Sequence, residues 1–398
     1  METIMPQLLD YSLLLYYCIG NTWVCTGLEL NRAPSLPSAT KLNVFTQGNI
    51  LPFRIGGILL NKISHVTAPS RNGIDIVKFI CSILVVAIHI PVLNPSAGGE
   101  LTVVADSFNT ALNHSVCRVA VPFFFTCSGY LLFSKMPAGS LDWERIKNYC
   151  FKILRLLGVW TVLLFLGSSG HLWYLGATVV AVLFLSLCLH YHIRLPWLIA
   201  LACILYVLGL LGDSYRGFLT PFVSKGILRY LYAAYDFIVG TSRNGLFMGY
   251  IFILIGYWFA QNKVKFSAPI SLVGFVVSLL CLCAESFLLD RHQIPDDNNM
   301  YISLLPVTFF LFAFASSLSL KDRPIYKKLR TVGVLVYFLH LFVDTGVWAM
   351  KQFLYKFLRI DIQPFQFFIS LAMTILLAFG IEWLSRKEKF KWIRWILS

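Results

Sequence analysis

From Ile74 to Ser385 the chain repeats one pattern: an apolar run of about 20 residues, then a short polar connection. Runs of that length cross a bilayer as helices. They fall near residues 74–93, 116–134, 151–168, 172–190, 196–212, 244–260, 267–288, 301–320, 332–350 and 364–385, which predicts ten transmembrane helices. The expected fold is an all-α polytopic membrane protein with three parts. Residues 1–70 form an N-terminal extension or linker, 71–385 the transmembrane domain, and 386–398 a basic cytoplasmic tail.

The first run departs from a plain anchor. In RNGIDIVKFICSILVVAIHI, Arg71, Asp75, Lys78 and Ser82 lie 18, 14, 11 and 7 residues before His89. At about 100° per residue these spacings fall within about 40° of one line. They form a polar stripe on an apolar helix, with His89 about 16 Å of helix rise beyond Lys78. An ionisable residue at such depth faces a bundle interior or a wet cavity, where it is a functional candidate; packed and satisfied, it is a structural histidine.

Composition agrees with the pattern. The chain is 58% hydrophobic and 13% charged, with mean hydropathy +0.72. Its net charge of +14 gathers in loops between alternate runs, such as Lys135, Arg145 and Lys147, or Lys321 to Arg330. Distributed this way, Lys and Arg mark cytoplasmic loops; they do not form a nucleic-acid patch. Both ends of the ten-helix unit are therefore expected in the cytoplasm, with His89 toward the outside. DRHQIPDDNN, the acidic loop from Asp290, falls on the external side. The ten cysteines include no CxxC pair, and neither a disulfide framework nor a metal site is expected.

Other polar groups fall on the same map. Arg118 opens the second run near the outer face, and Ser128-Gly129 lies well inside it, where helix packing is the ordinary role of serine. Lys152 and Arg155 share a face at the cytoplasmic start of the third helix, suiting either anchoring or phosphate binding. His171, Trp173 and Tyr174 follow an external hairpin, and Asp213 to Arg243 is a long external segment rich in Tyr. Arg243 and Asn244 head the sixth helix, whose positive end favours anions. His340 and Asp344, one turn apart, suggest an imidazole oriented by a carboxylate. The apolar segment YSLLLYYCIGNTWVCTGL lacks a basic lead-in and makes a poor signal peptide, and Asn31 to Ser70, with four prolines, reads as a linker.

Together these residues resemble the acyltransferase-3 family of integral membrane acyltransferases. The basic residue and the histidine eleven positions later match Lys78 and His89, preceded by the charged pair Arg71 and Asp75. Arg118, Pro122, Phe123-Phe124 and Ser128-Gly129-Tyr130 are similar to the second-helix pattern. Lys152 and Arg155 stand where two arginines followed by proline are more typical. His171-Leu172-Trp173-Tyr174, Arg243-Asn244-Gly245 and Tyr337-Phe338-Leu339-His340 complete the likeness.

The resemblance implies transfer of an acyl group, acetyl above all, from cytoplasmic acyl-CoA to a hydroxyl of a cell-surface carbohydrate or other extracytoplasmic acceptor. It implies His89, Arg118 and Asp75 as the catalytic set, with His89 as general base or transient acyl carrier, and Arg118 beside the oxyanion. Arg71, Lys78, Lys152 and Arg155 would hold the acyl-CoA phosphates. Ser128, His171, Trp173, Tyr174, Arg243 and His340 would meet the acceptor, with no metal required. The expected partners are the lipid bilayer, acyl-CoA and the acceptor, without nucleic acid and with homo-oligomerisation left open. A related membrane domain fused to racemases is also similar; it implies a rival function, a permease for a small polar solute such as serine. A non-catalytic scaffold is the remaining alternative.

Overall fold

The computed structural model describes residues 71–96, 100–137, 139–164, 170–223, 226–239, 241–264, 266–294, 297–390 and 392–393, with 54–55 and 58–59. Two units separate at residue 61. In the first, strands β1 (Arg54–Ile55) and β2 (Ile58–Leu59) pair antiparallel, Arg54 opposite Leu59. The apolar segment near Tyr11 and most of the expected linker lie outside the described residues.

The second unit is helical. Helix α1 (Arg71–His89) ends just before Pro91, whose ring disfavours helical geometry in the preceding residue. After it come α2 (Glu100–His114), a 3-10 turn at Val116–Val119, and α3 (Ala120–Phe133). Helix α4 (Trp143–Leu163) is capped by Asp142, which accepts the Arg145 backbone N–H at 3.0 Å. That N–H holds the Asp142 carboxyl below the usual carboxylate range, as expected at a positive helix end. Next come α5 (Trp173–His190), α6 (Leu195–Leu211), α7 (Arg216–Val223) and α8 (Ile227–Val239). A π-helical turn at Gly245–Gly249 then leads into α9 (Tyr250–Asn262). The remainder is α10 (Ala268–Arg291), α11 (Leu304–Ser317), α12 (Pro324–Phe353) and α13 (Gln366–Ser385).

Among the described residues six helical segments are long and apolar enough to cross a membrane: Arg71–His89, Glu100–Phe133, Gly170–His190, Ala268–Arg291, Pro324–Leu358 and Gln363–Ser385. Four expected spans do not meet that measure, for identifiable reasons. Helix α4 carries Arg145, Lys147, Lys152 and Arg155. The run at 244–260 forms the π turn and the 13-residue α9 continuous with it, diluted by Gly, Tyr, Trp, Gln and Asn, while α6 and α11 are apolar but short. Helix α11, 14 residues long, rises about 21 Å, less than the roughly 30 Å of bilayer hydrocarbon. The long external segment expected after Asp213 also differs, because α7 and α8 occupy it.

Packing explains how short helices are accommodated. Helix α3 lies along α9, and α1 along α12. Phe123, Phe125, Phe252 and Phe312 fill the interior with essentially no exposure. A Cβ on Gly129 would meet the Ile253 carbonyl oxygen at 2.3 Å, and one on Gly256 the Thr126 carbonyl oxygen at 2.1 Å. The α3–α9 backbones therefore touch through two opposed glycines, as small residues permit between apolar helices. Helices α10 and α13 form the rim instead: their membrane-length windows are 22% and 28% buried, against 72% for Glu100–Phe133.

Candidate active site

Helix α1 delivers the stripe read from its spacing, but its members serve different places. Asp75 and Ser82 are buried, Lys78 is half-buried, and Arg71 and His89 are exposed at opposite ends. The Ser82 hydroxyl donates to the Lys78 carbonyl at 3.0 Å, so it is used within its own helix. Asp75 is gripped by Arg330 of α12, whose Nε reaches Oδ1 at 3.0 Å and Nη2 reaches Oδ2 at 2.5 Å. Fourteen residues separate Asp75 from His89, about 21 Å of rise, and the structure does not bring Asp75 into the expected catalytic set.

Around His89 the chain forms a partly open cavity of about 60 Å³. Its walls take His89 from α1, Arg118 from the 3-10 turn before α3, His171 from the 3-10 turn Gly170–Leu172, and Trp173 and Tyr174 from the start of α5. Arg243 and Asn299 come from two loops, and Tyr337 from α12. Six of the expected site residues, His89, Arg118, His171, Trp173, Tyr174 and Arg243, therefore meet in one place. Arg118 and Arg243 both lie within electrostatic reach of His89. Arg243 pairs with Asp297 at 3.3 Å. The Asn244 side chain caps the π turn by accepting from the N–H groups of Leu246 and Phe247, each at 2.9 Å.

Behind the cavity His340 completes a cluster of three imidazoles. Ring centroids are 5.3 Å apart for His89 and His340, 5.0 Å for His171 and His340, and 6.2 Å for His89 and His171. His340 is fully buried, and its Nδ1 lies 2.9 Å from the Tyr337 carbonyl. A carbonyl only accepts, which places the proton on Nδ1 and leaves Nε2 as the unprotonated nitrogen of the neutral ring. The expected His340–Asp344 partnership is not formed. Asp344 turns toward α13, accepting from Gln366 Nε2 at 3.1 Å and Ser370 Oγ at 2.7 Å, while His340 faces the other imidazoles. Among the described residues no group of His, Cys, Asp and Glu has metal-binding geometry.

Ser128 lies outside this wall, its hydroxyl 3.0 Å from the Tyr174 hydroxyl and bonded to Tyr149. The Tyr337 hydroxyl donates to the His171 carbonyl at 2.5 Å, joining α12 to the turn before α5. Toward the opposite end, Lys152 lies within electrostatic reach of Arg155, Lys135 and Lys78. Three of the four expected donor-site cations, Lys78, Lys152 and Arg155, thus gather, with Lys135 added. Arg71 stands near Tyr130.

Two polar residues of the site escaped sequence reasoning. Asn299, 5% exposed, accepts from Arg118 Nη1 at 2.8 Å. Asp213, 1% exposed, takes the Asn299 N–H at 2.8 Å and its Nδ2 at 3.1 Å. Burial pushes the Asp213 carboxyl above the usual range, opposed by those bonds. Both residues sit in loops, where no periodicity marks them.

Comparison with known proteins supplies the family. The family described as Acyltransferase domain matches residues 71–383. The chain belongs to the acyltransferase-3 family. A serine/alanine racemase of Enterococcus gallinarum is 29% identical over 353 residues, covering 81% of this chain and 47% of that protein. An amino-acid racemase of Enterococcus faecalis is 30% identical over 271 residues, covering 61% of this chain and 35% of its own length. The chain thus spans less than half the length of these relatives. No solved structure matches it significantly.

Proposed function

We propose that this membrane acyltransferase takes a short acyl group from cytoplasmic acyl-CoA and delivers it to a hydroxyl on an extracytoplasmic acceptor such as a carbohydrate. The carrying observation is the pairing of two sites along α1. The His89 cavity lies at one end, and Lys78, within reach of Lys152 and so of the Arg155–Lys135 group, lies about 16 Å of rise toward the other. The cations would hold donor phosphates while the extended pantetheine arm reaches His89.

His89 takes the proton of the acceptor hydroxyl as its oxygen attacks the thioester carbonyl, or carries the acyl group itself before the acceptor arrives. In the first route the C–S bond breaks as the ester C–O bond forms, and the thiolate receives the proton. In the second a His89 ring nitrogen bonds the acyl carbon as the C–S bond breaks, the ring's other proton passes to the thiolate, and the acceptor oxygen then displaces the imidazole, which takes the acceptor's proton. Arg118 stabilises the oxyanion in both. A cavity of about 60 Å³ has room for a few water-sized groups, which suits acetyl better than a long acyl chain.

The topology belongs to the same proposal. The ten passes predicted from sequence, with residues 386–398 as a basic cytoplasmic tail and residues 1–70 as an extension, put the cation group inside and His89 outside. Contacts at the two ends support this alternation. Asn72 bonds the Leu320 carbonyl and Gln261 the Phe133 carbonyl at one end; Asn113 bonds the Ile88 carbonyl and Arg118 bonds Asn299 at the other.

The test is release of free CoA from acetyl-CoA by the purified protein in lipid. Release that disappears in His89→Ala supports the reading, and release at the parental rate in that variant overturns it. A permease for a small polar solute such as serine, a substrate in the name of the similar serine/alanine racemase, is the second reading. It predicts uptake of labelled serine into vesicles without CoA release.

A further inference from the structure

We propose that Asp213, which lies outside the cavity wall, is a positioning residue that aims Arg118 through Asn299 while leaving the arginine's positive charge free for the reaction. The proposal rests on the acyltransferase reading for its kinetic consequences, but not for its geometry.

The chain of contacts is directional. Asp213 Oδ1 accepts from the backbone N–H groups of Asn299 at 2.8 Å and Met300 at 3.0 Å, and from the Ser214 hydroxyl at 2.9 Å. Its Oδ2 accepts from Asn299 Nδ2 at 3.1 Å. With the amide nitrogen committed there, Asn299 Oδ1 must face the other way, where Arg118 Nη1 donates to it at 2.8 Å. The reverse amide orientation would set oxygen against carboxylate and NH2 against guanidinium, both unfavourable. Asp213 therefore fixes which end of the amide Arg118 sees. Among the described residues this is the one hydrogen bond of the Arg118 side chain, and its Nε is buried without a partner. One corner of the guanidinium is held, and its remaining donors are left for what enters the cavity.

The amide between the two charges matters. A carboxylate directly against Arg118 would hold it equally well but would oppose the positive charge that an oxyanion needs. A neutral amide orients the cation without neutralising it. The platform is also rigid: Ser214 Oγ donates to the Asp297 carbonyl at 3.2 Å, Gly217 N–H to the Ile294 carbonyl at 2.8 Å, and Tyr206 OH to the Tyr301 carbonyl at 2.7 Å. These bonds tie Ile294, Asp297 and Tyr301 to the end of α6, the turn after it and the start of α7. Support of this kind sets the precision of a catalytic group.

The experiment compares the parent with Asp213→Asn and Asn299→Ser, full-length and in lipid, using two readouts. In steady-state acetyl-CoA turnover, kcat per folded molecule should fall about ten- to a hundredfold in both, with KM for acetyl-CoA nearly unchanged, a loss below the 10²–10³ of deleting an oxyanion donor outright. Phenylglyoxal labelling, mapped by mass spectrometry, should show Arg118 reacting several-fold faster in both variants, with exposed Arg359, away from the cavity wall, as internal reference. If either variant folds with parental Arg118 reactivity and parental kcat, the proposal is overturned, and Asp213 only staples two loops. Asn299→Ser keeps the backbone bond to Asp213, so it answers the question if Asp213→Asn does not fold. A parent that turns over no acetyl-CoA, with Arg118 still released in the variants, defeats the enzymatic reading and leaves the positioning intact.

Discussion

Arg330 holds Asp75 through two nitrogens across 255 positions of sequence, fastening α12 to the first helix of the bundle. The Asp75 side chain is 5% exposed and the Arg330 side chain 46%, so one partner is buried and the other wet. Losing either leaves a charge unpaired, at about 1–3 kcal/mol, with screening at the exposed arginine keeping the cost below that of a fully buried pair. Asp75→Ala and Arg330→Ala should each lower the unfolding midpoint, and the double variant should lose less than the sum. Turnover per folded molecule should stay near parental in all three, because Asp75 does not reach His89. Additive losses in the thermal cycle would remove the pair's structural role.

His89→Ala is expected to reduce acyl transfer by about a hundred- to ten-thousandfold, the range for losing a general acid–base group. Expression and unfolding temperature should stay near parental, since His89 is an exposed residue at the end of α1. Single-turnover assays on the parent without acceptor separate the two roles. Covalently bound acyl group identifies a carrier, and its absence at full donor occupancy identifies a base.

The cation group is tested through the donor. Lys78→Gln, Lys152→Gln and Arg155→Gln should each raise the apparent requirement for acyl-CoA by roughly ten- to over a hundredfold, equivalent to about 1.5–3 kcal/mol per charge-assisted contact. Lys135→Gln should follow them, because it belongs to the same group. Isothermal titration with a non-hydrolysable acyl-CoA analogue gives the affinities directly. Parental affinity in Lys78→Gln would close that route to the donor.

Topology is tested by labelling intact cells in a background without native cysteines. Asp106 and Lys327 are both exposed and lie toward opposite ends of the bundle. A cysteine replacing Asp106 should react with an impermeant maleimide, and one replacing Lys327 should react only after permeabilisation. The reverse result places His89 on the cytoplasmic side and ends the cross-membrane mechanism.

How much was legible in the sequence follows from the physics of each feature. The α1 stripe was readable because helical period and charge coincide on an apolar background, and Lys78 and His89 keep the places that spacing gave them. His171, Trp173 and Tyr174 were readable because they begin a helix. Asp75 was misplaced because a shared helix face says nothing about distance along the axis. Asp344 was paired with the wrong group, since a side chain at its position can reach a neighbouring helix as easily as a residue one turn away. Asn299 was hidden in an acidic loop whose charge was read for topology, and Asp213 needed a contact 86 residues distant to show its role. The ten-run count did not carry over to helix lengths, because short helices such as α9 gain stability from burial inside the bundle.

The opposed glycines of α3 and α9 bear on how variation in this protein should be read. Alanine at Gly129 or Gly256 adds one methyl group where a backbone oxygen already stands within 2.3 Å, so the helices must separate. A genetic screen for lost function would recover these two positions beside His89, with equal severity and nothing to tell them apart. Abundance in the membrane distinguishes them: glycine lesions should deplete the protein, whereas His89 lesions should leave it abundant and silent. An allele that is inactive yet abundant is therefore the one that reports on chemistry.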